Sequence, residues 1–225
     1  MINLIILTAT VNVNLKKECI FQKNKEDRIN TYVKSVLQWL KNTKFHILLI
    51  ENSGYEFNEL HIEKYKYRDR FHVITFNEST LDEAQYLKND ISKGASEIFA
   101  INYAYKYICN KCKHLDDILK NLFIIKITAR FFIPELESFL NKYNMNEFDC
   151  LTQYDRDRCE MVGSHCKNFS DIFNINLINE NNKYDQHIEN IWKMRTSKYK
   201  NVLVCKTFKI EQTQRGGLDE KFDTI

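Results

Sequence analysis

Leu4-Ile5-Ile6-Leu7, running into Thr8-Ala9-Thr10, is the stretch on which the fold turns. Four apolar residues in succession with no alternation suit a strand covered on both faces. The pattern recurs at His46-Ile47-Leu48-Leu49-Ile50 into Glu51-Asn52-Ser53-Gly54, and at Phe123-Ile124-Ile125 into Lys126-Ile127-Thr128-Ala129-Arg130. Helical spacing fills the intervals. Ile29, Tyr32, Val33, Val36, Leu37 and Leu40 make one apolar face over Asp27 to Lys41, and Ile98, Ile101, Ala104, Tyr105 and Ile108 make another beyond Gly94. Strands alternating with helices predict an α/β fold with a mainly parallel central sheet flanked by helices. Ligands of such sheets bind at the carboxyl ends of the strands, where the polar clusters of this chain collect.

The remaining elements follow outward from this frame. Phe71 to Phe76 reads as a third strand and Asp149 to Tyr154 as a fifth, with a short charged helix or excursion over Leu60 to Arg70. Pro134 stands where the first turn of a helix tolerates it, ahead of Leu136, Phe139, Leu140 and Tyr143. Leu115 to Asn121 is a short segment leading into the fourth strand. The pattern then loosens. Short helices are expected over Ser170 to Asn174 and Tyr184 to Arg195, a strand or hairpin arm over Val202 to Thr213, and a mobile tail from Arg215 to Phe222. A chain of 225 residues without repeats or linkers reads as a single domain. Its halves are a ligand-binding sheet at about 1–133 and acceptor-side elements at 134–225.

Composition narrows the function classes. Apolar residues make up 44% and charged residues 28%, as in ordinary globular proteins. A net charge of +3, spread along the chain, and a pI near 8.3 do not mark a nucleic-acid binder. No stretch reaches the roughly 18 apolar residues of a membrane helix, and Met1 to Thr10 lacks the basic start of a secretory signal. The expected location is the cytoplasm. Seven scattered cysteines read as reduced structural thiols. Cys109 and Cys112 have zinc-like spacing with His114 nearby, and Cys159, His165 and Cys166 form a looser group, but neither completes a four-ligand set.

Several clusters carry chemistry. Lys93-Gly94 opens a helix, and Gly94 to Glu97 has the spacing of a capping box. Backbone N–H groups at such a start attract phosphate, a Gly lets a ligand approach, and a Lys adds counter-charge. Glu51 can accept from a base imide or a ribose hydroxyl, while Asn52-Ser53-Gly54 is equally a turn. Lys126, Thr128 and Arg130 share one face of a strand, with Ile127 and Ala129 opposite. Two cations on one sheet face are costly to bury without an anion. Glu97 and a diphosphate are the two candidates.

These motifs, in this order, resemble the GT-A-fold glycosyltransferases that use nucleotide sugars, and most nearly the small ones of large DNA viruses and some bacteria. The shared features are the opening strand, an Arg-led helix (Arg28 to Trp39), Glu51-Asn52-Ser53, Lys93-Gly94-x-x-Glu97 and Lys126-Ile-Thr128-x-Arg130. The resemblance covers about 1–133 and implies a nucleoside diphosphate sugar donor and a hydroxyl acceptor, on a glycan. It places base and ribose at Thr8, Ala9, Thr10 and Glu51 to Ser53, with Lys93, Gly94 and Glu97 towards phosphate or sugar. A viral source would set the enzyme in the host cytoplasm.

The chain departs from that family where Asp-x-Asp is expected, since Lys126-Ile-Thr128 stands there. A side-chain cation can take over the role of a divalent metal, so Lys126 and Arg130 point to transfer that is metal-independent or only weakly metal-dependent. Asp155-Arg156-Asp157 matches Asp-x-Asp literally but falls about 30 residues late. It is the alternative metal site, for Mn²⁺ or Mg²⁺. An inverting transferase also needs a base, for which Glu189, then Asp185, then Asp155 are the candidates. Two further readings stand beside transfer. A sugar-phosphate nucleotidyltransferase would need a Gly-rich loop after the first strand, where Val11-Asn-Val-Asn-Leu-Lys-Lys has none. A degenerate module that only binds a nucleotide sugar or a polyanion is the other.

Overall fold

The computed structural model describes residues 1–17, 20–111, 121–155, 157–214 and 220–225. Its core is a seven-stranded sheet built from β1 (Ile2–Ala9), β2 (His46–Glu51), β3 (Phe71–Thr75), β4 (Leu122–Thr128), β5 (Cys150–Thr152), β6 (Met161–His165) and β7 (Val202–Val204). The order across the sheet is β3-β2-β1-β4-β6-β5-β7. β3, β2, β1 and β4 run parallel, β6 is antiparallel to both its neighbours, and β7 is parallel to β5. The fold is the expected mainly parallel α/β sheet.

Period-two alternation sorts the side chains between two cores. Ile5 and Leu7 of β1, Ile47 and Leu49 of β2, and Ile125 and Ile127 of β4 face one side with α1 (Lys25–Asn42). Leu4 and Ile6, Leu48 and Ile50, and Leu122 and Ile124 face the other, against α3 (Lys93–Lys111). A small helix α2 (His61–Lys66) precedes β3, and α4 (Leu136–Leu140) adds to the α1 side. On the α3 side lie α5 (Phe169–Ile172) and α6 (Ile188–Thr196). α1 is anchored near its C-terminal end, where Nε1 of buried Trp39 donates to the carbonyl of Phe131 at 2.9 Å.

The chain enters β1, moves outward through β2 and β3, then returns across the sheet to β4 on the other side of β1. This reversal is a topological switch point, where the connections leaving the ends of β1 and β4 diverge and open a crevice.

Four expectations are revised. β6 escaped notice because Met161-Val-Gly-Ser-His165 is short and only half apolar, yet every residue in it is buried. It is inserted antiparallel between β4 and β5. The helix expected from Tyr184 begins at Ile188, because Tyr184 bridges to Ile178 and the amide of Asp185 donates to Leu177. The tail does not simply trail off. Residues 215–219 lie outside the described residues, but β9 (Lys221–Thr224) pairs antiparallel with β8 (Lys209–Gln214), and Ile225 exchanges both backbone hydrogen bonds with Phe208. The Gly94–Glu97 capping box is replaced by Ser92, whose hydroxyl oxygen accepts from the amide of Ala95 at 3.2 Å. The segment expected at Leu115 lies, up to residue 120, outside the described residues. No helix among the described residues is long and apolar enough to cross a membrane.

Gly163 shows how tightly β6 is inserted. A Cβ there would stand 2.9 Å from a ring carbon of Phe123 and 3.0 Å from Cβ of Leu151. Gly163→Ala is expected to cost about 1–3 kcal/mol by overpacking, read as a lower urea midpoint at unchanged slope.

Candidate active site

A cavity of about 630 Å³ occupies the switch point. Thr8, Ala9 and Thr10 at the end of β1 line it, as do Asn52 and Ser53 beyond β2 and Thr128 and Arg130 at the end of β4. Lys93, Gly94 and Glu97 of α3 form one wall, and Glu189 of α6 meets them with Cys159 and Glu160 from the β5–β6 loop. Ten of the twelve residues proposed for the donor from sequence are therefore gathered in one place, together with the first candidate base. Its size suits a small organic ligand.

Glu51 and Lys126 are the two that do not line it. Glu51 shares the face of Ile47 and Leu49 and is fully buried. Its carboxylate accepts from the amides of Val11 at 2.9 Å, Ser53 at 2.9 Å and Tyr55 at 2.8 Å, and from the Ser53 hydroxyl. It ties the loop after β1 to the turn after β2, in which Gly54 takes a φ of 84° that glycine adopts without strain. The neighbouring Asn52 faces the cavity instead, accepting from the Thr10 hydroxyl at 2.6 Å and donating to Glu78 at 2.8 Å.

Lys126 has no exposed side-chain surface. Its ammonium lies 2.9 Å from Oε1 of Glu97, donates to the carbonyl of Cys159 at 2.7 Å and sits 4.9 Å from the centre of the Trp192 ring. The internal partner considered from sequence is thus the one observed. Glu97 also accepts from the Thr8 hydroxyl at 2.6 Å on the same Oε1, while Oε2 has no protein partner among the described residues. Arg130, unlike Lys126, lines the cavity. Its Nε is buried without a hydrogen-bond partner among the described residues. By contrast, the guanidinium of Arg28 is committed to the carbonyls of Thr10 and Gln22 and the hydroxyl of Tyr32.

Glu189, at the second position of α6, receives a hydrogen bond from the thiol of Cys159 at 3.3 Å. Asp185 lies outside the cavity lining. One oxygen accepts from the amide of His187 and the other from the side chain of Asn190, so it holds the chain entering α6. Asp155 and Asp157 are exposed on the β5–β6 loop, also outside the lining; Asp155 accepts from the amide of Asp157, and Asp157 pairs with Lys193. Arg156 between them is outside the described residues. His165 turns its ring nitrogen to the amide of Lys167. Cys112 and His114 are also outside the described residues, among which no three His, Cys, Asp or Glu side chains could hold a metal ion.

Gly94 earns its place by packing. A Cβ there would fall 2.5 Å from Cβ of Ile188, so the starts of α3 and α6 touch at this glycine. Ser92 reinforces the junction by donating to the carbonyl of Gln186 at 2.7 Å.

Glu78 and Lys17 are among the charged residues of the cavity that no sequence motif marked. Glu78 accepts from Asn52 and from the Ser96 hydroxyl at 3.0 Å, and Lys17 donates to the carbonyls of Leu87 and Ser92, both at 3.2 Å. Burial raises the pKa of Glu78 above the ordinary carboxylate range, against the hydrogen bond from Ser96 and the charge of Lys17. Burial lowers that of Lys17, against Glu78 and Asp90. The only available signal was the position of Glu78 just past the third strand.

No model of a known protein family matches the chain, and no curated protein matches it. Solved structures do. A candidate nucleotide-diphospho-sugar transferase of Desulfovibrio desulfuricans G20 is 16% identical with a TM-score of 0.47, over 92% of this chain and 80% of that one. Residues 1–349 of S. aureus TarS are 12% identical with a TM-score of 0.48, over 91% of this chain and 58% of that one. The glycosyltransferase GlyE of Streptococcus pneumoniae TIGR4 is 10% identical with a TM-score of 0.47, over 91% and 45%. Superpositions this partial carry no weight for function.

Two outcomes are expected from the site's own geometry. Glu51→Gln places an NH₂ group against backbone donors and removes charge-assisted bonds, a loss of about 2–4 kcal/mol in denaturant melts. Because the folded-state pKa of Glu78 is raised, its stabilising protonation is present below the ordinary carboxylate pKa and is lost as pH rises through the folded value. Stability of Glu78→Gln relative to the parent should therefore rise with pH across that window; parallel pH profiles would contradict it.

Proposed function

We propose that the chain is a glycosyltransferase that moves a sugar from a nucleoside diphosphate sugar to a hydroxyl acceptor, on a glycan. The observation that carries this is the pairing, in one switch-point cavity, of an arginine whose Nε–H has no hydrogen-bond partner among the described residues with two partly tethered carboxylates. Arg130 offers Nε–H to an oxyanion, while Glu97 and Glu189 each have one oxygen bound to the protein. That set suits a substrate with an anionic leaving group beside hydroxyl-bearing chemistry.

In this reading the donor lies between the ends of β1 and β4. Asn52, Ser53, Thr8 and Thr10 hold base and ribose, and Lys93 and Arg130 face the diphosphate. Glu189 takes the proton from the acceptor hydroxyl as its oxygen bonds to the anomeric carbon. The bond from that carbon to the diphosphate breaks, its electron pair stays on the departing diphosphate oxygen, and Arg130 stabilises the charge that develops there. Lys126 acts indirectly, by holding Glu97 in place. With Lys126 committed to Glu97, metal-independent transfer would assign the leaving-group charge mainly to Arg130.

A thermal-shift panel of UDP-, GDP-, CMP- and dTDP-sugars, each with EDTA and with Mn²⁺, tests the proposal. One nucleotide class should stabilise the native chain, by about 2.7 kcal/mol at a hundredfold excess over Kd. Arg130→Met should abolish most of that shift, and Glu189→Gln should keep the shift but lower transfer by about 10²-fold or more. Persistence in EDTA would support metal-independent transfer. No shift with any donor would overturn the proposal in favour of a polyanion-binding module, whose mark would be steeply salt-dependent affinity.

A further inference from the structure

The wall of the cavity carries a thiol that the proposed chemistry leaves unused. Cys159 is gripped at both its main chain and its side chain. Its carbonyl accepts from Nζ of Lys126 at 2.7 Å, and its Sγ donates to Oε1 of Glu189 at 3.3 Å. Lys126 is itself immobile, buried against Trp192 and paired with Glu97. Cys159 is therefore a donor fixed by the core, whereas Glu189 is a long side chain on the first turn of α6 whose other oxygen has no protein partner among the described residues.

We propose that Cys159 is a positioning residue: its thiol holds Oε1 of Glu189, leaving Oε2 to meet the acceptor hydroxyl. The inference rests on Glu189 serving as the base. A glutamate otherwise free at the cavity would sample several rotamers, and fixing one of them ahead of reaction is what a supporting shell contributes.

The electrostatics set the polarity of the bond. Lys126 from β4, Glu97 from α3, Glu189 from α6 and Glu160 from the same loop all face the thiol. Burial, together with the three carboxylates, pushes the Cys159 thiol well above its ordinary range, and the opposing charge of Lys126 does not reverse this. The sulfur keeps its proton at neutral pH and acts as the donor, with the carboxylate as acceptor. A thiolate there would repel Glu189.

The first test needs no substrate. Alkylation of Cys159 by iodoacetamide, followed peptide by peptide by mass spectrometry, should run roughly fivefold faster at mildly alkaline pH in Glu189→Gln than in the parent, because a neighbouring negative charge has been removed. An unchanged rate would overturn the contact. The second test uses turnover. Cys159→Ala should lower kcat roughly tenfold at little-changed KM and move the acidic limb of the pH–rate profile upward, since the ionised base loses a donor. Cys159→Ser, which keeps a donor, should restore most of both, and matched thermal melts exclude a folding defect. Parent-like kcat and pH profile in Cys159→Ala would overturn the positioning role. Faster alkylation in Glu189→Gln, with no transfer from any donor, would sink the transferase reading while leaving the thiol–carboxylate contact standing.

Discussion

The buried ammonium of Lys126 is the constraint to which the rest of the site is tied. A lysine with no exposed surface is tolerated only when its charge and its donors are met. Here they are met by Glu97 from α3, the carbonyl of Cys159 from the β5–β6 loop and the face of Trp192 from α6. Thr8 at the end of β1 joins through the shared oxygen of Glu97. One charge thus fastens two strands, two helices and a loop where the sheet opens. Breaking such a pair by removing one partner typically costs about 3–5 kcal/mol, because the other charge stays buried and uncompensated. The geometry of the cavity wall is consequently set by an ammonium that does not itself line the cavity.

A second layer of polar contacts shapes the walls. Glu51 gathers three backbone amides on the α1 side of the sheet, and Asn52, one residue on, links Thr10 to Glu78 on the cavity side. Adjacent residues thus do opposite work. One braces the backbone from behind, and the other presents its amide to the crevice. The close meeting of Gly94 with Ile188 then carries α6, and with it Glu189, to the mouth of β1 and β4. Arg130 lines the same crevice with an Nε–H that has no hydrogen-bond partner among the described residues, and the proposed function sets the anionic part of the substrate beside it.

Much of the fold was legible because it obeys periodicity. Leu4 to Leu7, His46 to Ile50 and Phe123 to Ile125 read as buried strands and are buried strands, and the apolar stripe from Ile29 to Leu40 is the face that α1 packs down. β6 and β9 were not legible. Met161-Val-Gly-Ser-His165 has little intrinsic strand character and is held by its neighbours β4 and β5, while Lys221–Thr224 is a strand only because β8 lies beside it. The same division runs through the site. The strand-end position of Thr8, Thr10 and Arg130 followed from chain order, but Glu78 and Lys17 carried no motif, and Cys159 stood out only as part of a loose Cys/His group.

Glu51 and Lys126 draw the boundary most sharply. Sequence by itself determined the α/β class, the strand ends where polar residues gather, and the shared face of Lys126 and Thr128, because these depend on local spacing along one strand or helix; Arg130 lies in the turn beyond β4. Which of those residues meet a ligand was decided only by the tertiary structure. The face of β2 that bears Glu51 is the face that α1 covers, and the ammonium of Lys126 stops short of the cavity because α3 and α6 bring Glu97 and Trp192 to it first. Spacing assigns a side chain to a face. What covers that face depends on contacts between residues far apart in the chain.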